Sequence, residues 1–385
     1  MEPLTHFLTG ACIGRAGFNR KTAFATVAAV LAAEAADLDV FWGIAGPVEE
    51  LKHHRGITHT FVGAPVVAAV VVGAVWLYRR GRQRWRGPVP VRNEGPATMR
   101  RGGVVQVRWG WLYLTALVAA LSHILLDWSN NYGVRPFFPW NPRWYAGSFM
   151  FIAEPVLWAI LLLALLMPWL LGLADREIGV RKQPFRGRGW AIFALAAMAA
   201  VGLWRWTEHA EGLEMIAHTQ VADAAVSRVA LEPYPVNPYR WHAILETPRY
   251  YQTAEVNTLH PDSPAAIVSD AQTDVIYKSA DTAAVQVAKR TLLGQVYLDW
   301  GAWAMVRDAG QVAVPGIAPP DLPRERTWTT VEFSDLRFDY SFLRRARTGS
   351  QAPLGGWVYI VDDREEAAEG MGNRQQHTAE ASPSR

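Results

Sequence analysis

Cysteine is nearly absent from this 385-residue chain, and the single one, Cys12, excludes an intrachain disulfide. Net charge of one sign is also small, because 38 Lys and Arg residues against 35 Asp and Glu residues give a formal charge of +3. Nucleic-acid binding depends on a concentrated excess of basic residues. We therefore expect neither a disulfide scaffold nor a nucleic-acid partner.

Acidic residues are almost missing from one stretch, where nine arginines between Arg79 and Arg108 face the single acid Glu94. A second basic stretch covers residues 176–188. Long apolar runs flank both stretches, and a run of about 20 apolar residues is what a membrane-spanning helix requires. Basic loops between such helices mark the cytoplasmic side. The pattern predicts a multi-pass membrane protein whose two arginine-rich loops lie on the cytoplasmic side.

The apolar runs end near residue 206, which predicts a membrane domain over residues 1–206. We expect an α-helical bundle of about six helices, the first two short, at about 3–16, 21–37, 57–78, 109–127, 149–173 and 189–206. Residues 207–363 predict a small α+β soluble domain with an antiparallel sheet, including strands at 295–307 and 327–342. Residues 364–385, rich in Glu, Gly, Gln and Ser, predict a disordered tail.

Topology brings several polar residues to one end of the bundle. With both basic loops inside, helix 57–78 starts outside and helix 109–127 ends outside. The hairpin of two short helices returns its two ends to the same level, and the last helix also exits there. We therefore predict that a site at this end, and the soluble domain, are extracytoplasmic.

The polar residues at this end are types that bind divalent metals. His123 and Asp127 are four residues apart and share a helical face, and a charge in a membrane helix costs roughly 2.5 to 3.5 kcal/mol on insertion scales. Asp37 and Asp39 end a helix, where negative charge opposes the dipole and calls for a cation or Arg55. A solvated helix end is the alternative in each case. The candidate metal ligands are His6, Asp37, Asp39, His54, His59, His123 and Asp127.

Four sequence motifs carry a family resemblance. They are Ala-Asp-Leu-Asp at 36–39, His-Arg-Gly-Ile-Thr-His at 54–59, Leu-Ser-His-Ile-Leu-Leu-Asp at 121–127 and the segment 133–140, together with His6. They resemble those of the bacterial membrane-bound metal-dependent hydrolases of the YdjM/YbcI type. Ala36 stands where a proline is usual, and His53 replaces a glycine. The resemblance implies a metal-dependent hydrolase of the bacterial inner (cytoplasmic) membrane, distantly similar to zinc phospholipases C.

A metal at this site would activate water for hydrolysis of a phosphoester or other ester in a lipid-like, amphiphilic substrate. Seven candidate ligands exceed the needs of one tetrahedral zinc, so we expect one or two divalent ions, with zinc favoured. Asp37 or Asp39 could remain as general base, and Arg55 could orient a phosphate or pair with either aspartate. Glu154 is a further candidate base, with helix-end packing as its alternative.

Two other functions fit the same residues. A metal-binding membrane transporter also places His and Asp in helices, although a permeation path needs polar groups through the bilayer. A regulatory or scaffold protein would use the metal structurally and the outer domain for a partner. Membrane lipids are expected partners, and the sequence specifies no oligomeric state.

Overall fold

A computed structural model describes residues 1–86, 106–177, 187–217, 225–260, 274–346 and 352–376. These residues form two compact units. The first contains Met1–Leu38, Arg55–Glu211 and Pro233–Arg240. The second contains Asp39–His54, Gly212–Glu232 and the described residues from Trp241 onward.

The N-terminal half of the chain is helical. Its helices are α1 (Pro3–Arg15), α2 (Ala25–Glu34), α3 (Pro47–His53), α4 (Gly63–Arg86), α5 (Trp109–Ser129), α6 (Pro155–Glu177) and α7 (Arg188–Ala217). Short 3-10 helices cover Phe18–Arg20, Ala35–Ile44 and Ile57–His59. Of the described helices, α4 to α7 are long and apolar enough to cross a membrane. The predicted helical membrane bundle with two short first helices is confirmed.

Small residues let the two short helices pack closely. A side chain at Gly14 would place its Cβ 2.4 Å from Thr26 Cα, and one at Gly10 would lie 2.8 Å from the Ala29 carbonyl oxygen. Ala28, Ala29, Ala32 and Ala33 of α2 are buried in the same cluster as Ala116 and Ala119 of α5. Close helix approach through small side chains is typical of membrane bundles. This packing brings the end of α2 against α5, where the site lies.

Several helix boundaries differ from the predictions, and α4 begins at Gly63 and ends at Arg86 rather than covering 57–78. Helix α6 begins at Pro155 rather than near residue 149, because proline lacks an N–H and fits the first helical turn. Helix α7 continues to Ala217 rather than ending at 206. Most of the two arginine-rich loops, residues 87–105 and 178–186, lies outside the described residues. The extracytoplasmic position of the site and of the soluble domain stays a prediction.

The C-terminal half contains nine described strands in two antiparallel sheets. One sheet has the order β1-β2-β3-β4, and the other has the order β5-β6-β7-β8-β9. The strands are β1 (Arg228–Pro233), β2 (Arg240–Glu246), β3 (Tyr250–Asn257), β4 (Asp274–Tyr277), β5 (Ala304–Asp308), β6 (Trp328–Asp335), β7 (Gly356–Val361), β8 (Glu365–Met371) and β9 (Arg374–Gln375). Three helices accompany them in the described part of this half: α8 (Ala283–Ala288), α9 (Leu292–Trp300) and α10 (Ser341–Ala346). The predicted α+β class is confirmed, with two sheets in place of one.

Two predicted strands are partly helical. Residues 295–300 belong to α9, which the Thr291 hydroxyl caps by accepting a hydrogen bond from the Gly294 N–H at 3.2 Å. The strand predicted over 327–342 ends at Asp335 and is followed by a 3-10 helix, Leu336–Phe338, and by α10. The alternation of Leu336, Phe338 and Tyr340 marks burial of these side chains, which a tight turn supplies as well as a strand does.

The C-terminal segment also differs from the prediction. Strands β8 and β9 occupy part of the predicted disordered tail, and residues 377–385 lie outside the described part. Gln376 binds the segment Asp39–His54 of the same unit, accepting from the Val48 N–H at 2.9 Å and donating to the Ala45 carbonyl at 3.0 Å. Arg374 pairs with Glu50 at 3.1 Å. Hydrogen bonds to a remote part of the chain thus order residues whose composition suggested disorder.

Candidate metal centre

Four predicted ligands converge in the first unit. One ligand atom each from Asp37, His59, His123 and Asp127 lies within 4.8 Å of all the others. Asp37 follows α2, His59 ends a 3-10 helix, and His123 and Asp127 lie one turn apart on α5. His59, His123 and Asp127 are fully buried, whereas the Asp37 side chain is 22% exposed.

The spacing of these atoms fits one ion. His59 Nε2 lies 3.0 Å from His123 Nε2 and 3.3 Å from Asp37 Oδ1. Asp127 Oδ2 lies 3.3 Å from His123 Nε2 and 3.4 Å from His59 Nε2. A tetrahedral ion with bonds of about 2.0–2.1 Å separates its ligand atoms by about 3.3 Å. The four atoms are therefore already spaced as the ligands of one tetrahedral ion.

Hydrogen bonds indicate which ring nitrogens of the two histidines can bind a metal ion. His123 Nδ1 lies 2.5 Å from the Ala33 carbonyl oxygen, so Nδ1 carries the proton, and Nε2 of the neutral ring presents a lone pair. His59 Nδ1 lies 3.1 Å from the Thr58 hydroxyl, and its Nε2 faces the same point. A carbonyl that orients a ligating imidazole in this way is common around protein metals. With the Thr58 hydroxyl donating to His59 Nδ1, both imidazoles would present a lone pair, and together with the two carboxylates they would attract a cation.

A local turn fixes the position of His59. The Thr60 hydroxyl donates to the Ile57 carbonyl at 2.8 Å and accepts from the Gly63 N–H at 2.8 Å. A Cβ at Gly63 would lie 1.9 Å from the Ile57 carbonyl oxygen, so only glycine permits this approach at the start of α4. The turn therefore fixes the ligand next to a helix that belongs to the scaffold.

Arg55 binds Asp127, and its suggested pairing with Asp37 or Asp39 stays a prediction. Its Nη2 donates to Asp127 Oδ1 at 2.9 Å, and its Nη1 donates to the Gly133 carbonyl at 2.8 Å and to Asn130 Oδ1 at 3.3 Å. The guanidinium also stacks over the Tyr132 ring at 4.5 Å. Arg55 is buried, with a φ of 54°. It orients Asp127 so that the second carboxylate oxygen faces the histidines.

Sequence reasoning missed the supporting residues Asn130 and Tyr132. Both fall just before the quoted 133–140 motif, and Gly133, with a φ of 84°, forms the turn that offers its carbonyl to Arg55. A glycine that directly follows polar residues after a helix was the available signal. The 133–140 motif thus takes part in the site through backbone oxygens.

His6 borders the four-residue group. Its ring stacks on His123 with centroids 3.8 Å apart, and its Nε2 lies 3.4 Å from Asp127 Oδ1. The side chain is fully buried, and neither ring nitrogen has a hydrogen-bond partner among the described residues. The amino group of Met1 also contacts Asp127. His6 is therefore placed to bind an additional ion or to pack beside the first one.

Asp39 and His54 belong to the second unit, where His54 Nδ1 lies 3.0 Å from Asp39 Oδ1. Neither is part of the group of four, and their assignment as ligands stays a prediction. His53, which is not among the candidate ligands, lies 3.2 Å from Glu49 and stacks on Trp42.

Glu154 joins a structural network in the first unit. Its carboxylate lies 3.3 Å from Arg205 Nη1 and accepts from the Val236 N–H at 3.0 Å. Arg205 also donates to the carbonyls of Phe149 and Tyr234, at 2.8 and 2.7 Å. These contacts favour the helix-end packing alternative for Glu154, and its role as a base stays a prediction.

The fold and this centre define a class: a multi-span membrane protein with a buried cluster of metal-ligand side chains. Residues 1–211 match the family model described as YdjM inner membrane protein. This match covers more than half of the chain, and the protein belongs to that family. None of the curated proteins or solved structures compared with the chain matches it. Membership in the family and the apolar helices establish a membrane location.

Proposed function

We propose that this protein is a membrane-embedded metal-dependent hydrolase that cleaves a phosphoester or other ester bond of an amphiphilic substrate. The observation that carries the proposal is the convergence of two imidazole nitrogens and two carboxylates, three of the four side chains fully buried. Burial of such groups is costly unless a partner compensates them. Arg55 compensates Asp127 Oδ1, and a divalent cation would compensate Asp127 Oδ2 and the histidine nitrogens that face it.

The four side chains divide by exposure. Three protein ligands and one open position are typical of catalytic zinc sites, whereas four protein ligands are typical of structural ones. We assign His59, His123 and Asp127, all buried, as the ligands that hold the ion. Asp37 is the one member of the group that reaches solvent. Its carboxylate lies beside the fourth position of the ion, 3.3 Å from His59 Nε2, where it would accept the proton of an attacking water.

A bound divalent ion would supply a Lewis acid that activates water and stabilises negative charge on a phosphoryl or acyl oxygen. Arg55 keeps Asp127 oriented, and the Ala33 carbonyl keeps His123 in the tautomer that binds metal. Zinc suits this nitrogen and oxygen ligand set. His6, beside Asp127 Oδ1, could help to hold a second ion.

Metal analysis with a matched histidine control tests the proposal. Protein purified into lipid nanodiscs should contain about one zinc or similar ion per chain, and His59→Ala should lose it. His53→Ala changes a histidine of the same segment that contacts Glu49 instead, and it should retain the metal. A metal-free wild-type protein, purified without chelator and after zinc supplementation, would contradict the proposal.

Turnover separates the hydrolase from its two alternatives. The wild type should hydrolyse long-chain p-nitrophenyl phosphodiesters or carboxylic esters presented in vesicles, and Asp37→Asn should abolish that activity while it leaves metal bound. Stoichiometric metal without turnover on either probe would favour a regulatory or scaffold role. Zinc flux into proteoliposomes would favour a transporter.

A further inference from the structure

The candidate metal centre is partly exposed at one of its four side chains. Asp37 is the group member with exposed surface, at 22% of its side chain. In the first-unit segments around it, residues 35–38 and 55–66, every exposed residue is apolar: Leu38, Ile57, Phe61, Val62 and Val66. Access to the site therefore passes apolar side chains.

We define the apolar rim as Leu38, Ile57, Phe61, Val62 and Phe137, which are between 41 and 58% exposed. Phe61 and Phe137 meet edge to face with ring centroids 5.5 Å apart, and the Phe61 N–H donates to the Pro136 carbonyl at 2.9 Å. These contacts hold the rim in one conformation. An ordered, exposed apolar cluster of this kind marks an interaction surface.

The rim continues directly into a membrane-spanning surface. Helix α4 begins at Gly63, immediately after Val62, and its outward residues Val66 and Val70 are 61 and 65% exposed. The α4 helix is one of the four described candidate spans. One apolar surface thus runs from the lipid-facing side of α4 to the residues on either side of His59.

The second unit adds an independent observation. Its segment that follows Leu38 in the chain exposes Val40, Phe41, Trp42 and Ile44, at 50, 63, 49 and 82%. Tryptophan and other large apolar side chains on a surface segment favour the membrane interface. The exposed residues that neighbour Asp37 and His59 in the sequence are therefore of the types that contact lipid.

We propose that the apolar rim lies in the membrane interface and that the substrate reaches the Asp37 side of the centre from within the bilayer. The substrate class is then an amphiphile whose apolar chain rests on the rim while its polar ester group meets the centre. The membrane position of the rim stands on exposure and continuity alone, and the substrate class rests on the proposed function.

Spin labelling tests the position of the rim without any turnover. In a Cys12→Ala background, labels at Phe61→Cys and Ile57→Cys are compared in phosphatidylethanolamine and phosphatidylglycerol vesicles with two references. Val70→Cys reports lipid on α4, and Arg143→Cys reports an exposed polar loop. The rim labels should have a collision rate for oxygen well above that of Arg143→Cys and a rate for a water-soluble nickel complex well below it, shifted toward the values of Val70→Cys. Rim labels that match Arg143 would overturn the proposal.

Chain-length selectivity tests the substrate class. The measured quantity is the ratio of kcat/KM for a dodecyl over a methyl p-nitrophenyl phosphodiester in vesicles. Phe61→Asp should lower this ratio about tenfold, because contact with the apolar chain would remove water from the new carboxylate. Phe61→Leu should leave the ratio unchanged. An unchanged ratio in Phe61→Asp would overturn the substrate class.

The two proposals fail differently. Water-exposed rim labels in a protein that binds metal and hydrolyses esters would refute entry from the bilayer and leave the hydrolase intact. Lipid-exposed rim labels in a protein that binds no metal would support the membrane position and refute the hydrolase.

Discussion

Both units bury charged and titratable side chains, but they satisfy them in different ways. In the second unit, Asp335 accepts two hydrogen bonds from the Arg337 side chain, at 3.0 and 2.9 Å, and further bonds from the Arg337 and Trp303 N–H groups. In the first unit, His59 Nε2 and His123 Nε2 lie 3.0 Å apart, and Asp127 Oδ2 makes no hydrogen bond among the described residues.

This difference separates a structural charge cluster from a functional one. Buried polar groups in folded proteins are almost always paired, and each exception calls for an explanation. The Asp335–Arg337 pair is complete without a ligand. In the group around His59, Arg55 satisfies Asp127 Oδ1 but Asp127 Oδ2 is left without a hydrogen-bond donor among the described residues, and a metal ion would complete it. Three changes test whether the two clusters differ in this way, and a fourth tests another buried acid of the second unit, in order from the largest expected effect to the smallest.

Removal of one buried histidine should abolish or weaken metal binding in the first unit and leave it unchanged in the second. His123→Ala removes a ligand, so metal affinity should fall by more than about 100-fold, since even changes beside a ligand cost 10- to 100-fold. His242, whose Nε2 bonds the Leu336 carbonyl at 3.1 Å, is the matched control. His242→Ala should lower thermal stability and leave metal affinity unchanged, both measured on protein in nanodiscs. Equal metal loss in both variants would remove the distinction between the units.

Asp335→Ala should mainly affect folding. It leaves the Arg337 guanidinium buried without its charged partner, which costs about 3–5 kcal/mol. Denaturant unfolding followed by tryptophan fluorescence should show this loss, because Trp300 lies 4.9 Å from the Arg337 guanidinium. Metal content should stay at the wild-type level. Loss of metal without loss of stability would contradict the structural assignment.

Arg55→Lys should weaken metal binding by about 10- to 100-fold, the usual effect of losing a residue that orients a ligand. A lysine ammonium cannot bind Asp127, Asn130 and Gly133 with one planar fork. Lys52→Arg, at an exposed position three residues away in the sequence, is the control and should have no effect. Competition with a fluorescent zinc chelator measures both affinities. Wild-type affinity in Arg55→Lys would show that Asp127 needs no orientation.

The smallest expected effect concerns pH. Burial raises the pKa of Glu369 above its usual value near 4.5, and nearby Glu49 adds to the shift, although the Leu293 N–H donates to the carboxylate and opposes it. The folded protein therefore holds a proton that the unfolded chain releases, so stability falls as pH rises from about 4.5 through the folded pKa. Glu369→Gln should reduce this decline in thermal unfolding measured across that range, and Glu366, whose pKa burial raises to about 7, should account for part of what remains. An unchanged profile would assign the decline to other groups.

The candidate ligands of the site were predictable from the sequence, whereas the groups that orient them were not. The four-residue spacing of His123 and Asp127 fixed their common face, and helix counting brought Asp37 and His59 to the same end. The Ala33 carbonyl that sets the His123 tautomer carries no side-chain signal, because any residue has a carbonyl. The Arg55 partner depended on a turn at Asn130 to Gly133 whose geometry sequence patterns leave open.

The fold shows the same limit in the second unit. Hydrophobic length identified the spanning helices, since the bilayer imposes one thickness on all of them. Alternation over Leu336 to Phe342 predicted a strand, yet the burial of these residues comes from a 3-10 turn and a short helix. The order of residues 365–376 depends on partners distant in sequence, such as Val48 and Glu50, and composition does not reveal such pairs.

Zinc K-edge X-ray absorption tests the central claim most directly, because it counts imidazole ligands on the bound ion. Wild-type protein in nanodiscs, loaded with one zinc, should show at least two imidazoles together with oxygen ligands at about 2.0 Å. His59→Ala, forced to retain zinc by excess metal, should show one imidazole fewer, and His53→Ala should match the wild type. A wild-type spectrum without imidazole ligands, or one unchanged by His59→Ala, would contradict the assignment of this centre.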